Sequence, residues 1–158
     1  MAIFFNTRGE KYREFRNTSA HGFMLDGEHW QSAEHYVQAQ RFDCDKAKAE
    51  VREAPYAFTA KAIARERPEA LRSDWNQVRD SVMEKAVRCK FSSDPALGGA
   101  LAATGNDEII EASALSHYWG AGADGTGLNK LGRILMKVRK ELQESLRAAG
   151  MQEQNRLG

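Results

Sequence analysis

The chain has 158 residues, of which 42% are hydrophobic and 28% are charged, and this size and composition predict one globular domain with a buried core. Its formal net charge is only +1, which excludes a field able to hold nucleic acid through phosphates alone, so a DNA or RNA substrate would have to be held locally. No apolar stretch is long enough for a signal peptide or a membrane span, and we expect a cytoplasmic protein with no membrane partner.

The N-terminal part is predicted to contain a strand and a hairpin. Residues 3–5 form a short aromatic and β-branched run, and the polar segment with Phe15 and Asn17 is typical of a loop. Asp26 and Gly27 stand between two extended runs and give the strongest hairpin signal in the sequence. This hairpin leads the chain to Ser32.

A helix is predicted from Ser32, which can cap it, to Phe42. On its polar side Glu34, Gln38 and Arg41 fall at i, i+4 and i+7, so an acid, an amide and a permanent cation form one stripe. Glu34 and Arg41 lie about 10 Å apart along the axis and bracket a slot that could hold a sugar phosphate. Taken alone, such a stripe more often marks a solvated helix face.

Four more helices are predicted before residue 105. Their expected extents are residues 46–53, Pro55 to the break at residues 66–68, a cap at Ser73 or Asp74 to about Phe91, and residues 94–103. Gly105 is expected to end the last of them in a left-handed conformation. In the third, the apolar stripe is expected to face the core, and it comprises Trp75, Val78, Val82 and Ala86.

The C-terminal part is predicted to contain a strand at residues 108–112, a glycine-rich loop, and an amphipathic helix from about Asn129 to Ala149. Residues 150–158 are expected to form a flexible tail. The sequence therefore predicts one domain over residues 1–149, mainly α-helical with a small β component, an α+β fold.

The glycine loop contains G-x-G-x-x-G at Gly120, Gly122 and Gly125. A dinucleotide-binding βαβ unit is excluded because too little chain follows the loop. Bare backbone N–H groups and the helix that starts near Asn129 could hold a phosphate or a carboxylate. A flexible surface turn is the alternative, and Trp119 favours binding because it could form a wall for a base or a sugar.

The acid/base candidates are Glu34, Glu111, Asp124 and the histidines His21, His29, His35 and His117. His35 lies on the apolar face of its helix and is expected to be packed in the core, whereas His117 lies near the loop. Lys90 closes a helix, and a favourable interaction with the negative helix end could explain it. No spacing indicates a serine nucleophile or a metal site, and Cys44 and Cys89 fit neither a redox pair nor a disulfide framework. We expect no metal and no cofactor.

Six short motifs occur in order from about Phe15 to Leu142. They are Ser32-x-Glu34-His35-Tyr36-x-Gln38-Ala39-x-x-Phe42, Arg72-x-Asp74-Trp75, Lys90-Phe91, Leu101-x-x-Thr104-Gly105, Trp119-Gly120-x-Gly122-x-x-Gly125-x-Gly127-x-Asn129-x-Leu131-Gly132 and Leu135-Met136-x-x-Arg139. Each is weak by itself, but together they resemble the NADAR family, also called YbiA-like, over nearly the whole domain.

The resemblance implies an N-glycosidase that acts on ribosides whose sugar carries phosphate or ADP. Members of the family hydrolyse ribosylamino-pyrimidine phosphates of early riboflavin biosynthesis or remove ADP-ribose from guanine bases. The partner would then be a small riboside phosphate or ADP-ribosylated guanine in nucleic acid. Such chemistry needs a carboxylate, an aromatic wall and phosphate donors, which Glu34, Trp119 and residues 120–129 could supply.

Two residues depart from the family pattern. The family usually has lysine at the position of Arg41, and that lysine is thought to attack the anomeric carbon as an amine, which arginine cannot do. The family also tends to carry aspartate before the Tyr-Trp-Gly segment, where this chain has Ser116 and His117. Either Lys90 or a water activated by Glu34 replaces the missing chemistry, or activity is altered or lost.

The leading hypothesis is an N-glycosidase with Glu34 as general acid/base and Lys90 as the second catalytic candidate. The predicted substrate-binding residues are Asn17, Arg41, Trp75, Trp119, Gly120, Gly122, Asp124, Gly127 and Asn129. The alternative is a non-catalytic module that binds ADP-ribose or a nucleotide in the same pocket, and Arg41 favours it.

Overall fold

Two strands that lie far apart in the sequence form a parallel pair in the computed structural model, which describes residues 1–6 and 8–158. They are β1 (Ala2–Phe5) and β4 (Glu108–Glu111). Phe5 is paired with Glu111 at the carboxyl end of both strands. Ile3, Phe5 and Ile109 are buried, so this small sheet lines the core and presents Glu111 at its edge.

The predicted hairpin is confirmed as β2 (Phe23–Leu25) and β3 (Glu28–Trp30), paired antiparallel. Asp26 and Gly27 have φ angles of 54° and 79°, the left-handed pair that a tight two-residue hairpin requires. The Trp30 ring is buried, and its Nε1 donates to the Leu25 carbonyl at 2.9 Å. This bond fixes the direction in which the chain enters the next helix.

That helix, α1 (Ala33–Ala39), begins as predicted, because Ser32 Oγ accepts from the His35 N–H. Its last residue is Ala39, so it ends before the predicted Phe42. His35 is buried, and its ring nitrogens contact Ser32 Oγ at 2.7 Å and the Ala54 carbonyl at 3.0 Å. The expectation of a packed core histidine is therefore confirmed.

The other helices surround α1 or close the sheet. They are α2 (Asp45–Arg52), α3 (Ala57–Glu66), α4 (Trp75–Ser93), α5 (Pro95–Ala102) and α6 (Lys130–Leu157). Helix α1 packs against α2, α3 and α4, while α6 packs against α4, α5 and β4. The predicted α+β class, mainly helical with little sheet, is confirmed. Within the described residues no helix is long and apolar enough to cross a membrane.

Helix α3 begins at Ala57, two residues after the predicted start at Pro55, because Tyr56 keeps an extended backbone. In α4, most of the residues predicted to face the core are not fully buried. Trp75, Val78 and Val82 are only half-buried, and the core side of α4 is formed by Met83, Ala86, Val87, Lys90 and Phe91. The first two turns of α4 therefore lie at the rim of the core.

The predicted cap at Asp94 and the predicted left-handed Gly105 are confirmed at the two ends of α5, whereas α6 ends later than predicted. Asp94 Oδ1 accepts from the N–H groups of Ala96 and Leu97, and Gly105 has a φ of 66° after α5. Helix α6 continues to Leu157 instead of ending near Ala149, and residues 150–157 are exposed. The flexibility of this segment stays a prediction.

Candidate active site

The polar stripe of α1 is not a solvated face. Gln38 is 7% exposed, while Glu34 and Arg41 are half-buried. Gln38 Nε2 donates to Glu34 Oε1 at 2.7 Å, and Arg41 Nη1 donates to Gln38 Oε1 at 3.2 Å. The amide thus fills the slot predicted between the acid and the cation, and it fixes both of their side chains.

Arg41 is held on an aromatic surface. Its guanidinium carbon lies 5.8 Å from the centre of the Trp75 ring, a distance at which a cation is attracted to the ring face. Burial lowers the pKa of Arg41, and the charge of Glu34 opposes this change. Because an arginine pKa starts from so high a value, the side chain stays a cation and offers no nucleophilic amine.

Glu111 lies within electrostatic range of Glu34. Burial and, to a smaller extent, the negative charge of Glu34 together raise the pKa of Glu111 to about 7, although the charge of Lys61 opposes both effects. Its Oε2 is buried and has no hydrogen-bond partner within the described residues. Two neighbouring carboxyl groups whose environments differ are the arrangement that divides the roles of acid and base.

The glycine loop holds the backbone of Glu111. The Ala121 N–H donates to the Glu111 carbonyl at 2.8 Å, and the Glu111 N–H donates to Asn129 Oδ1 at 3.0 Å. Asn129 Nδ2 donates to the Ile109 carbonyl at 2.9 Å, so both ends of its amide are used on β4. A Cβ on Gly120 would lie 2.9 Å from the Glu111 carbonyl oxygen. Gly120 and Asn129 therefore position the acid.

The expected anion cradle at the start of α6 is not open. The N–H groups of Lys130 and Leu131, which begin the helix, donate to the carbonyls of Tyr118 and Trp119 at 3.0 Å. The Gly127 N–H donates to the Ala121 carbonyl at 2.6 Å. The loop satisfies these donors because it folds back on itself, an arrangement that glycine spacing does not reveal.

Asp124 and Gly122 lie on the outer turn of the loop. The Asp124 carboxylate is exposed, accepts from the Thr126 N–H at 3.0 Å and faces His117 Nε2 at 3.4 Å. Gly122 has a φ of 72° and lies against the His117 ring. None of these contacts reaches Glu34 or Glu111.

Trp119 and Asn17 lie on two different loops, and among the residues that the structure describes only Asn17 is shown in contact with a residue of the site. Trp119 is half-buried and packs against the core, with its ring edge-on to Tyr118 at 4.8 Å. The Asn17 carbonyl accepts from the Glu34 N–H at 3.0 Å, and its side-chain amide contacts Met83 Sδ at 3.1 Å. Asn17 therefore anchors the start of α1 through its backbone.

Lys90 is a buried anchor of the 14–19 loop. Only 2% of the residue is exposed, and Nζ donates to the carbonyls of Glu14 and Arg16 and to Ser19 Oγ at 2.7–2.9 Å. Burial lowers the pKa of Lys90 to about 7. The geometry gives Lys90 a positioning role, since its three donors are used and the loop that it ties down contains Asn17. Interaction with a helix end, the sequence interpretation, is not what holds it.

Sequence reasoning considered Glu111 but did not select it. The missing signal was three-dimensional, because Glu34 and Glu111 are 77 positions apart in the sequence and only the fold brings them within electrostatic range of each other. A carboxylate at the carboxyl end of a short apolar strand was the one available hint. The structure thus adds Glu111 to Glu34, Gln38, Arg41 and Trp75.

Comparison with known proteins gives this cluster a context. The NADAR domain model matches residues 3–143, nearly the full length. The chain belongs to the NADAR family. The N-glycosidase YbiA of Escherichia coli is 36% identical over 140 residues, which cover 89% of this chain and 88% of YbiA. This relationship places the chain among the N-glycosidases.

Two further similarities agree with the NADAR assignment. The NMR structure of Escherichia coli YbiA superimposes with a TM-score of 0.80 at 34% identity, covering 96% of this chain and 89% of that one. A riboflavin biosynthesis protein of Vibrio vulnificus is 41% identical over 142 residues, covering 90% of this chain but only 39% of that longer protein.

Proposed function

We propose that the protein hydrolyses the N-glycosidic bond of N-ribosides whose sugar carries phosphate or ADP. The carboxyl pair of Glu34 and Glu111 beside a cation carries this proposal. Cleavage of such a bond proceeds through an oxocarbenium-like sugar, leaves negative charge on the departing base, and needs a water to be activated. One carboxylate and one carboxylic acid meet these needs together.

Glu111 supplies the proton in this mechanism. With a pKa raised to about 7, a fraction of Glu111 carries its proton at neutral pH and can give it to the leaving nitrogen. Glu34, whose carboxylate is oriented by Gln38, steadies the oxocarbenium-like carbon and takes a proton from the attacking water. The bond from sugar to nitrogen breaks, water adds to the anomeric carbon, and the products are the free sugar phosphate and the protonated base.

Arg41 binds the phosphate in this proposal. It is half-buried, no carboxylate forms a salt bridge with it in the described part of the chain, and its Nε is buried with no acceptor. A guanidinium in that state gains most from a phosphate, which accepts paired N–H bonds. The same residue rules out the amine route of the family, so water activated by Glu34 is the nucleophile.

The family aspartate that this chain lacks has a structural substitute. Ser116 Oγ accepts from the Trp119 N–H at 3.0 Å, which is the kind of turn-closing bond that serine and aspartate both make. The change therefore preserves the approach of Trp119. His117 faces the exposed Asp124 and takes no part in the mechanism.

Arg41 also supports a second candidate, a module that binds the ribosyl phosphate without cleaving it. Mass spectrometry of a panel of ribosylamino-pyrimidine phosphates and a guanine-ADP-ribosylated oligonucleotide, each incubated with the wild type, separates the two. Release of ribose 5-phosphate or ADP-ribose supports the hydrolase and names its substrate. Binding of the intact compounds without release supports the module.

A further inference from the structure

Arg79 is a second arginine with the features of Arg41. It is half-buried, its Nε is buried with no hydrogen-bond partner, and no carboxylate forms a salt bridge with it within the described residues. Its guanidinium carbon lies 3.3 Å from the centre of the Tyr118 ring. Partial burial of a cation without a counter-ion carries a desolvation cost, and a bound anion offsets that cost.

Arg41 and Arg79 are joined by one aromatic residue. Trp75 and Arg79 are four positions apart in α4, so they lie on one face of the helix about 6 Å apart along its axis. Arg41 lies over the same Trp75. The order in space is therefore Arg41, Trp75, Arg79, Tyr118, a row in which cations alternate with rings.

The neighbouring acids leave this row positively charged. The Asp80 carboxylate is used by the Tyr118 hydroxyl and by Lys130 Nζ, the latter at 3.4 Å. Asp74 is paired with Arg72 at 2.6 Å. Glu34 is the acid that acts on Arg41, and it is bonded to Gln38.

We infer that Arg79 binds a second phosphate, so that Arg41 and Arg79 together select a ribosyl diphosphate over a ribosyl monophosphate. This inference rests on the proposed function, in which Arg41 holds the phosphate next to the sugar. The two guanidiniums, neither of which forms a salt bridge with a carboxylate in the described part of the chain, match the charge of a diphosphate, and each can donate to two of its oxygens.

A groove next to this row could hold the nucleoside that is attached to the second phosphate. A groove of about 330 Å³ between α4 and α6 starts at Asp80 and Lys130, the two residues that contact Tyr118, and Ile134 forms part of its wall. Its size lies in the range of small-molecule sites. The groove therefore meets the row at Tyr118 and can receive a nucleoside attached to the second phosphate.

The test compares binding of ADP-ribose and of ribose 5-phosphate by calorimetry in the wild type, Arg79→Met and Arg79→Lys. Methionine keeps an unbranched apolar stem, and thermal melting checks the fold of each variant. Arg79→Met should weaken ADP-ribose binding about tenfold or more and ribose 5-phosphate binding less than about twofold, because the lost contact is charge-assisted. Arg79→Lys should restore part of the affinity for ADP-ribose alone.

Arg147→Met, which removes an exposed arginine of α6 outside the lining of this groove, is the matched control and should change neither affinity by more than about twofold. Equal losses for both ligands, or no loss, would overturn the inference. Because binding is measured without turnover, the experiment can contradict the proposed hydrolysis and the proposed diphosphate selection independently of each other. Arg79-dependent binding without hydrolysis would remove the proposed function only, and hydrolysis with Arg79-independent binding would remove this inference only.

Discussion

Glu34 lies close enough to Glu111 for its negative charge to add to the effect of burial and raise the pKa of Glu111 to about 7. Glu34 comes from the first turn of α1 and Glu111 from the last residue of β4. Neither element has a functional signature of its own. The fold brings the two carboxyl groups within electrostatic range of each other, and such a pair can divide the work of acid and base.

Glu111→Gln should lower turnover at least about 100-fold, because general acid catalysis typically contributes that much. In the wild type, activity should fall as the pH rises above about 7, when Glu111 loses its proton. A pH–rate profile checks both points, with Glu108→Gln, at the exposed start of the same strand, as the control. Full activity in Glu111→Gln would exclude Glu111 as the acid.

The stability of Glu111→Gln should depend on pH in a defined direction. The folded-state pKa of Glu111 lies above the unfolded value of roughly 4.3, so its stabilising contribution is fully present below that value and is lost as the pH rises through about 7. Relative to wild type, the variant should gain on the order of 2 kcal/mol between about pH 4 and pH 8. Urea unfolding at several pH values measures this gain, and a constant difference would contradict the raised pKa.

Arg41→Lys should introduce the amine that the wild type lacks. Reduction with borohydride in the presence of substrate should trap a covalent sugar adduct on the variant but none on the wild type, since arginine forms no Schiff base and the Lys90 ammonium is enclosed. The adduct is detected as an increase in the intact mass of the protein. Arg147→Lys, at an exposed position of α6, controls for an added surface lysine, and an adduct on Lys90 of the wild type would reject water as the nucleophile.

Lys90→Met should act through stability. It leaves two carbonyls and a hydroxyl without their donor, which we expect to cost about 3 kcal/mol and to lower the Tm by roughly 6–12 °C. Turnover should fall less than in Glu34→Gln when measured below the new Tm. Lys140→Met, at an exposed position of α6, should stay within about 0.5 kcal/mol.

Gly120→Ala should displace Glu111. The added Cβ would meet the Glu111 carbonyl at 2.9 Å and the Ser116 carbonyl at 3.1 Å, and such overpacking costs about 1–3 kcal/mol. Activity should drop more than about tenfold because the acid moves with its strand. Gly99→Ala, where a Cβ meets nothing within 4 Å, is the control for the substitution itself. Normal activity in Gly120→Ala would mean that the loop does not position Glu111.

The features predicted correctly from the sequence depend on local chemistry. Asp26 and Gly27 specify the hairpin, Ser32 caps α1, and Gly105 follows α5 with a positive φ. Each feature involves residues within a few positions of one another. The NADAR motifs added the family and its activity.

What the sequence could not predict depends on distant contacts. The β1–β4 pairing joins residues about one hundred positions apart, and it places Glu111 near Glu34. Several N–H groups of the glycine loop and of the start of α6 donate to carbonyls within residues 117–122, and the Ala121 N–H donates to Glu111, so the loop holds the backbone of this acid. The sequence indicates that Lys90 is a cation at a helix end. In the structure it is buried, because residues 14–19 fold over it and accept its hydrogen bonds.

The most direct test of the account is the release of sugar from its riboside substrate by wild type, Glu34→Gln and Glu108→Gln, followed by mass spectrometry. The side chain of Gln38 can still donate to the new amide oxygen in Glu34→Gln, so that variant should fold and bind as the wild type does. We predict that wild type and Glu108→Gln release ribose 5-phosphate or ADP-ribose and that Glu34→Gln releases none. Equal release by all three proteins would contradict the central claim that the Glu34 and Glu111 pair carries out the hydrolysis.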